Sequence, residues 1–251
     1  MSALTLRIIA CLAMLVDHIG YINGNIYYRI IGRIAFPIFV YLITNGFRHT
    51  SSRIRYALRL ALFALISQIP FSLFCYGSIA FHHGNVLFTL LLGLLCIWSI
   101  DILRKKTYLR WIALLPTLFV CGIYYFGIIS SDYGMRGILL TVVFYLFHGK
   151  SIPKRILMTV GALLSVFSYY ALSLGVAVAK WALGNALILP SMTQWEFLQI
   201  YSLGALIFIF MYNGRKGTYP KNRKTAKLLQ YGFYAFYPVH QMILWAIRTF
   251  S

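Results

Sequence analysis

The chain has 251 residues and a formal net charge of +19, from 23 Lys and Arg against 4 Asp and Glu, yet 61% of it is hydrophobic and only 11% is charged. Soluble domains carry about 25% charged residues, so the apolar content excludes a soluble nucleic-acid binder, and the 17% aromatic content excludes a disordered basic tail. The remaining class is an all-α, polytopic membrane protein. No long polar stretch could fold by itself, so residues 1–251 read as a single transmembrane domain whose first partner is the lipid bilayer, with no nucleic acid.

A helix needs about 20 mainly apolar residues to cross a bilayer. Taken in order, the apolar runs predict spans at Leu4–Ile22, Tyr28–Gly46, Ile54–Cys75, Val86–Leu103, Tyr108–Ile129, Gly134–Phe147, Ile156–Val178, Trp195–Tyr212 and Leu228–Ile247. That gives about nine, within a range of eight to ten. The sixth is short, and Lys180–Thr193, with Gly184 and Pro190, reads as a surface helix or part of a tenth span. Arg7 followed by an apolar run resembles a signal peptide, but no small-residue cleavage site follows and Asp17-His18 interrupts the run; a retained first helix is expected. Cys11, Cys75, Cys96 and Cys121 form no CxxC pair and read as small core hydrophobes.

The cations alternate between connections. Arg7, Arg48, Arg53, Arg55, Arg59, Arg104, Lys105, Lys106, Arg110, Lys150, Lys154, Arg155, Arg215, Lys216, Lys221, Arg223, Lys224 and Lys227 fall on one side; Arg29, Arg33, Arg136, Lys180 and Arg248 fall on the other. Cytoplasmic loops carry the excess of Lys and Arg. The N-terminus is therefore expected inside and the C-terminus outside, in the plasma or inner membrane. There is no fixed-period or inverted repeat.

Ionisable groups at membrane depth are costly and point to function. Asp17 and His18 lie near the outer end of the first span; His has an ordinary pKa of about 6.5, suited to proton transfer. Arg33 lies in Gly32-Arg33-Ile34-Ala35-Phe36-Pro37, where Pro37 cannot donate to the Arg33 carbonyl, and Arg29 sits one turn earlier on the same stripe. A pair of Asp17 with Arg33 or Arg29 is expected. His82-His83-Gly84-Asn85 closes the next outer loop, with Asn85 placed to cap the fourth span or to touch substrate. Two adjacent His without an acid or Cys at ligand spacing do not make a metal site, and none is expected. Asp132-Tyr133 precedes the sixth span, where Asp132 suits either a helix cap or a substrate contact. His240, after Pro238 in the ninth span, is expected to line a cavity. Glu196 and Asp101 fall at helix ends. His18, Asp17, Arg33, His83, Asn85, Asp132 and His240 thus converge on an outer-half polar cavity.

The same residues carry a resemblance. Met14-Leu15-Val16-Asp17-His18-Ile19, Gly32-Arg33-Ile34-Ala35-Phe36-Pro37-Ile38-Phe39, Ser67-Gln68-Ile69-Pro70-Phe71, Asn85 with Phe88-Thr89, Asp132-Tyr133-Gly134 with Gly137, and Tyr237-Pro238-Val239-His240 run in order through nearly the whole chain. In these the sequence resembles the TraX family, known for acetylating conjugative pilin, and more loosely the broader transmembrane acyltransferases. The resemblance implies acetyl transfer from cytosolic acetyl-CoA to an acceptor on the outer side; it does not imply which acceptor, so an amine or hydroxyl on a pilin, a surface glycan or another surface polymer, and with it N- or O-acetyltransfer, stays open. It implies His18 as catalytic base, with Arg33 a neighbouring motif residue; Asp17 is read beside them, and His83, Asn85, Asp132, Tyr133 and His240, from their place in the expected cavity, toward the acceptor. Arg48, Arg53 and Arg55, at the inner end of the Arg33 helix, are the cations expected for the CoA phosphates. Two other readings fit ionisable residues in spans: a proton-coupled transporter or flippase, which the missing inverted repeat disfavours, and a non-catalytic assembly factor for surface appendages.

Overall fold

A computed structural model describes residues 1–250 apart from Asn185, Tyr219 and Lys221, with the backbone alone of Trp195 and Arg223. Lys221 and the side chain of Arg223, two of the cations assigned to the inner face, lie outside the described residues. Every regular element among those described is a helix.

The nine predicted segments all fall on helix, and several are broken. The first is α1 (Ala3–Asn23), begun by the Ser2 hydroxyl accepting from the Thr5 amide and ended by Gly24 at φ 66°, the left-handed position that favours glycine. Its 21 residues span about 31 Å, matching a hydrocarbon core of about 30 Å. The second divides into α2 (Ile26–Gly32) and α3 (Ala35–His49), and the third into α4 (Arg53–Ile66) and α5 (Gln68–Tyr76). Each break lies within a turn ahead of a proline, Pro37 or Pro70, whose missing N–H and ring disrupt the preceding turn. α6 (Val86–Arg104) is unbroken; the fifth segment keeps regular α-helix only as α7 (Leu115–Tyr125), and the sixth is α8 (Gly134–Leu146). The seventh bends by 63° between α9 (Ile152–Val166) and α10 (Ser168–Ala182). The eighth is the short pair α11 (Gln194–Ile200) and α12 (Ala205–Phe210), and the ninth is α13 (Arg223–Phe250), which continues through Pro238.

Among the described residues, four stretches are long and apolar enough to cross a membrane (Ala3–Asn23, Ile26–His49, Arg53–Tyr76 and Val86–Arg104), or five if the bent α9–α10 pair is one span. Length and composition therefore support fewer crossings than nine, because α7, α8 and the α11–α12 pair are short or interrupted. The stretch after Lys180 forms neither a surface helix nor a tenth span: α10 stops at Ala182, and residues 186–193 have no helix.

Contacts between neighbours order the bundle by its two ends. At the basic end Arg53 pairs with Asp101 at 2.7 Å, Arg48 donates to the Tyr145 carbonyl, Asn45 donates to the Tyr212 hydroxyl, and the Met1 ammonium meets the Met211 carbonyl. At the other end Asp17 meets Arg29 and Arg33, Tyr21 donates to the Cys75 carbonyl, Gly84 pairs with Ser131, and Arg136 pairs with Glu196. Successive segments thus alternate in direction. α1 and α13 run parallel, with Arg7 over the Phe233 ring at one level and His18 against His240 at another.

Glycines set the closest approaches. A Cβ on Gly32 would overlap Asp17, one on Gly93 would lie 2.6 Å from Thr141 Oγ1, and one on Gly137 would lie 2.7 Å from Phe36 Cζ. These contacts seat α2 on α1 and α8 on α6 and α3. All four cysteines are free thiols.

Candidate active site

A cavity of about 420 Å³ runs between α1, the α2–α3 break, α4, α5 and α13, bordered at one end by the loops before α6 and α8. It is lined by Asp17, His18, Arg29, Arg33, His83, Asp132, Tyr133 and Arg136 toward one end, and by Arg7, Tyr56, Gln230 and Tyr234 toward the other. Arg7 and His18 sit three turns apart on one helix, about 16 Å at roughly 1.5 Å per residue.

The α2–α3 break places two guanidiniums on one carboxylate. Arg29 Nη1 donates to Asp17 Oδ2 at 2.6 Å, and Arg33 donates to Oδ1 from Nη2 and from Nε, the latter at 3.2 Å. Arg33 Nε also donates to the Arg29 carbonyl. Arg33 is 5% and Asp17 7% exposed, so the expected pair is a buried triad that uses both arginines. With its oxygens held there, Asp17 does not orient His18.

That position is filled by His240. His18 Nδ1 and His240 Nε2 are 2.6 Å apart, and His240 Nδ1 lies 2.6 Å from the Phe236 carbonyl oxygen. A carbonyl only accepts, so His240 Nδ1 carries a proton; a neutral His240 then accepts at Nε2, and His18 Nδ1 is the donor. The pattern leaves His18 Nε2 with a lone pair while both rings are neutral. His18 lines the cavity. This is the tautomer a general base needs, held by a backbone-anchored imidazole where a Ser-His-Asp triad has a carboxylate.

Other expected residues divide. Asp132 and Tyr133 reach the cavity, Tyr133 stacked on Phe36 with ring centroids 3.5 Å apart. Asp132 does not cap α8, whose N-cap is Tyr133 without a side-chain bond; among the described residues it has no ion-pair partner, and it is open to the cavity. His83 lines the rim and pairs with the Ser130 hydroxyl; burial lowers its imidazole below the ordinary 6.5, with Asp132 opposing. Asn85 is withdrawn from the cavity. Its Oδ1 caps α6 by accepting from Leu87, and its Nδ2 donates to the Ala64 carbonyl and to Gln68 Oε1, at 0% exposure. It ties α6 to α4 and α5 and leaves no group for substrate. Arg48, Arg53 and Arg55 do not line the cavity either: Arg48 is held by Tyr145, Arg53 by Asp101, and Arg55 is exposed. Sequence reasoning gave no cavity role to Arg7, Gln230 or Tyr234, because Arg7 carried only an orientation signal and the α13 residues none.

These features define a helical membrane protein with a polar cavity enclosed in an apolar bundle and two arginines, an aspartate and two histidines at its core. The family model for TraX protein matches residues 2–248, and the chain belongs to that family. It is also similar to a probable fimbrial assembly protein, FimC of serogroup H1, from Dichelobacter nodosus, at 29% identity over 99% of this chain and 96% of that one. No solved structure matches it.

Proposed function

We propose that the protein is a multi-pass membrane acetyltransferase that moves an acetyl group from cytosolic acetyl-CoA to an amine or hydroxyl acceptor outside, with His18 as general base. The observation that carries this is the His18–His240–Phe236 chain of contacts, which leaves His18 Nε2 basic in a cavity that continues to Arg7 at the basic end. Family membership and the similarity to a probable fimbrial assembly protein support an acceptor on a surface appendage. Nine crossings with the N-terminus cytoplasmic fit the alternation of contacts and the parallel α1 and α13, since an odd number of passes must lie between two parallel helices.

In the step itself, His18 Nε2 takes the proton of the acceptor N–H or O–H as that atom attacks the thioester carbonyl. The new N–C or O–C bond forms, negative charge gathers on the carbonyl oxygen, and the C–S bond breaks to release CoA, which recovers a proton. Arg33 and Arg29 supply positive potential beside the reacting groups. Asp132, His83 and Tyr133 hold the acceptor.

The test is turnover of labelled acetyl-CoA by purified protein with membrane-surface acceptors. General-base loss predicts that His18→Ala is slower by about 10²- to 10⁴-fold with unchanged thermal unfolding. Full activity in that variant refutes the base role, and no binding of acetyl-CoA by the wild type refutes the enzyme. The relative's description favours a second reading, a non-catalytic assembly factor, in which His18→Ala cells still build their surface appendages normally.

A further inference from the structure

Acyl transfer needs a donor aimed at the carbonyl oxygen, where negative charge gathers, as well as positive potential around it. The arginines of the cavity supply the potential. Arg33 directs Nη2 and Nε to Asp17 Oδ1, Arg29 directs Nη1 to Oδ2, and Arg136 directs Nη2 to Glu196. Those N–H groups are aimed at carboxylates. Tyr133 differs: it lines the same cavity as His18, Arg29 and Arg33, and its hydroxyl has no hydrogen-bond partner among the described residues. Its ring is fixed without that hydroxyl. The ring lies parallel to that of Phe36, with 6° between planes and centroids 3.5 Å apart. Gly137 makes room for the stack, since a Cβ there would lie 2.7 Å from Phe36 Cζ and 3.0 Å from Tyr133 Cβ. Phe36 is buried in α3, one turn after Arg33, so the stack holds the phenol near the Asp17–Arg29–Arg33 triad. Arg33 and Arg29 act electrostatically on Tyr133 and also on His18, which follows Asp17 directly. Base and phenol therefore flank one triad, which two guanidiniums and one carboxylate leave net positive. A phenol ionises near pH 10 in water, so at neutral pH it is a protonated donor.

We propose that Tyr133 is the oxyanion donor of this reaction: its hydroxyl hydrogen-bonds the thioester carbonyl oxygen while His18 Nε2 acts on the acceptor. This rests on the acetyltransferase reading above and gives Tyr133 the acyl group, rather than the acceptor, as its partner. As the acceptor nitrogen or oxygen attacks, His18 takes its proton, the carbonyl π pair moves onto oxygen, and the Tyr133 hydrogen bond strengthens. Tyr133 keeps its own proton throughout. When the C=O bond re-forms, the C–S pair leaves with sulfur, and the proton held on His18 passes to the thiolate to give CoA.

The full-length protein in nanodiscs is assayed for kcat and apparent KM with labelled acetyl-CoA and a cell-surface extract as acceptor. Tyr133→Phe keeps the ring and its stack on Phe36 and removes one O–H. Removing one oxyanion donor lowers kcat by about 10²- to 10³-fold, and that loss is expected here, with both KM values within about twofold and thermal unfolding unchanged. Tyr133→Ala, which also loses the stack, is expected to be at least as slow. A ring that only packs would leave Tyr133→Phe at the wild-type kcat. A contact to the acceptor would raise the acceptor KM and leave kcat unchanged. Either result overturns the oxyanion role while the acetyltransferase reading stands. A wild type that transfers no label refutes that reading, and this role with it.

Discussion

Replacing Asp17 by Asn removes the one negative charge between two buried arginines while keeping the side chain's shape. The carboxylate and both guanidiniums have side chains only 6–11% exposed. With charge centres about 4 Å apart and an effective dielectric near 20, each arginine gains roughly 4 kcal/mol of attraction from the carboxylate. Much of that offsets desolvation, and breaking a buried pair by removing one partner costs about 3–5 kcal/mol net. Asp17→Asn is therefore expected to lose at least about 3 kcal/mol of stability, with Arg29 and Arg33 left to repel each other. Chemical unfolding in mixed micelles, followed by far-UV circular dichroism, measures it. Adding Arg33→Met to Asp17→Asn should recover about 1–3 kcal/mol, the interaction energy of a double-mutant cycle between contacting residues. An Asp17→Asn protein within about 1 kcal/mol of wild type, or a double variant with no recovery, refutes the triad as the clamp between α1 and α2–α3.

His240→Ala, which frees the His18 ring, should lower kcat about 10- to 100-fold, as loss of an orienting partner does elsewhere, with KM for acetyl-CoA nearly unchanged. His240→Gln, whose amide oxygen still accepts from His18 Nδ1, should recover part of that loss; equal defects in both would argue against tautomer control. Gly93→Val pushes methyls into Thr141 across the α6–α8 seam and should cost about 1–3 kcal/mol by overpacking, read by thermal unfolding. His148, in the connection after α8, is half-buried near Arg48, and its partial burial followed by that cation lowers its pKa to about 4 from 6.5. The unfolded chain therefore takes up this proton first, and stability falls as pH drops from 6.5 toward 4. His148→Phe should flatten unfolding midpoints over that window, and an unchanged slope would count against the assignment.

Much of this site is legible in the sequence because a membrane penalises every ionisable residue. Asp17, His18, Arg33, Asp132 and His240 stand out against apolar neighbours; the first four line the cavity, whereas His240, expected to line it, is held against His18 instead. Pairing is less legible. Composition and spacing suggested that Asp17 meets Arg29 or Arg33, whereas a carboxylate has two oxygens and the α2–α3 break delivers both arginines. Neighbours on a helix diverge by about 100°, so the sequence offers His18 no partner in Asp17, and only the fold shows that its partner comes from α13. Asn85 was read as cap or ligand; only the fold reveals Ala64 and Gln68 beside it. The basic face hid Arg7, since a rule that explains every inner cation distinguishes none of them. Hydropathy put its nine segments on helix, but only four, or five with the bent α9–α10 pair, are long and apolar enough to cross a membrane, and their breaks depend on where Pro37 and Pro70 disrupt a turn and on how short helices are packed.

The contact between His18 and His240 joins positions 222 residues apart. A ribosome makes α1 before α13, and until α13 docks against α1 the His18 ring has no orienting partner and the cavity lacks a wall. On the acetyltransferase reading proposed above, a partly synthesised chain is therefore silent, and unfinished or misassembled copies spend no thioester on water or on stray acceptors.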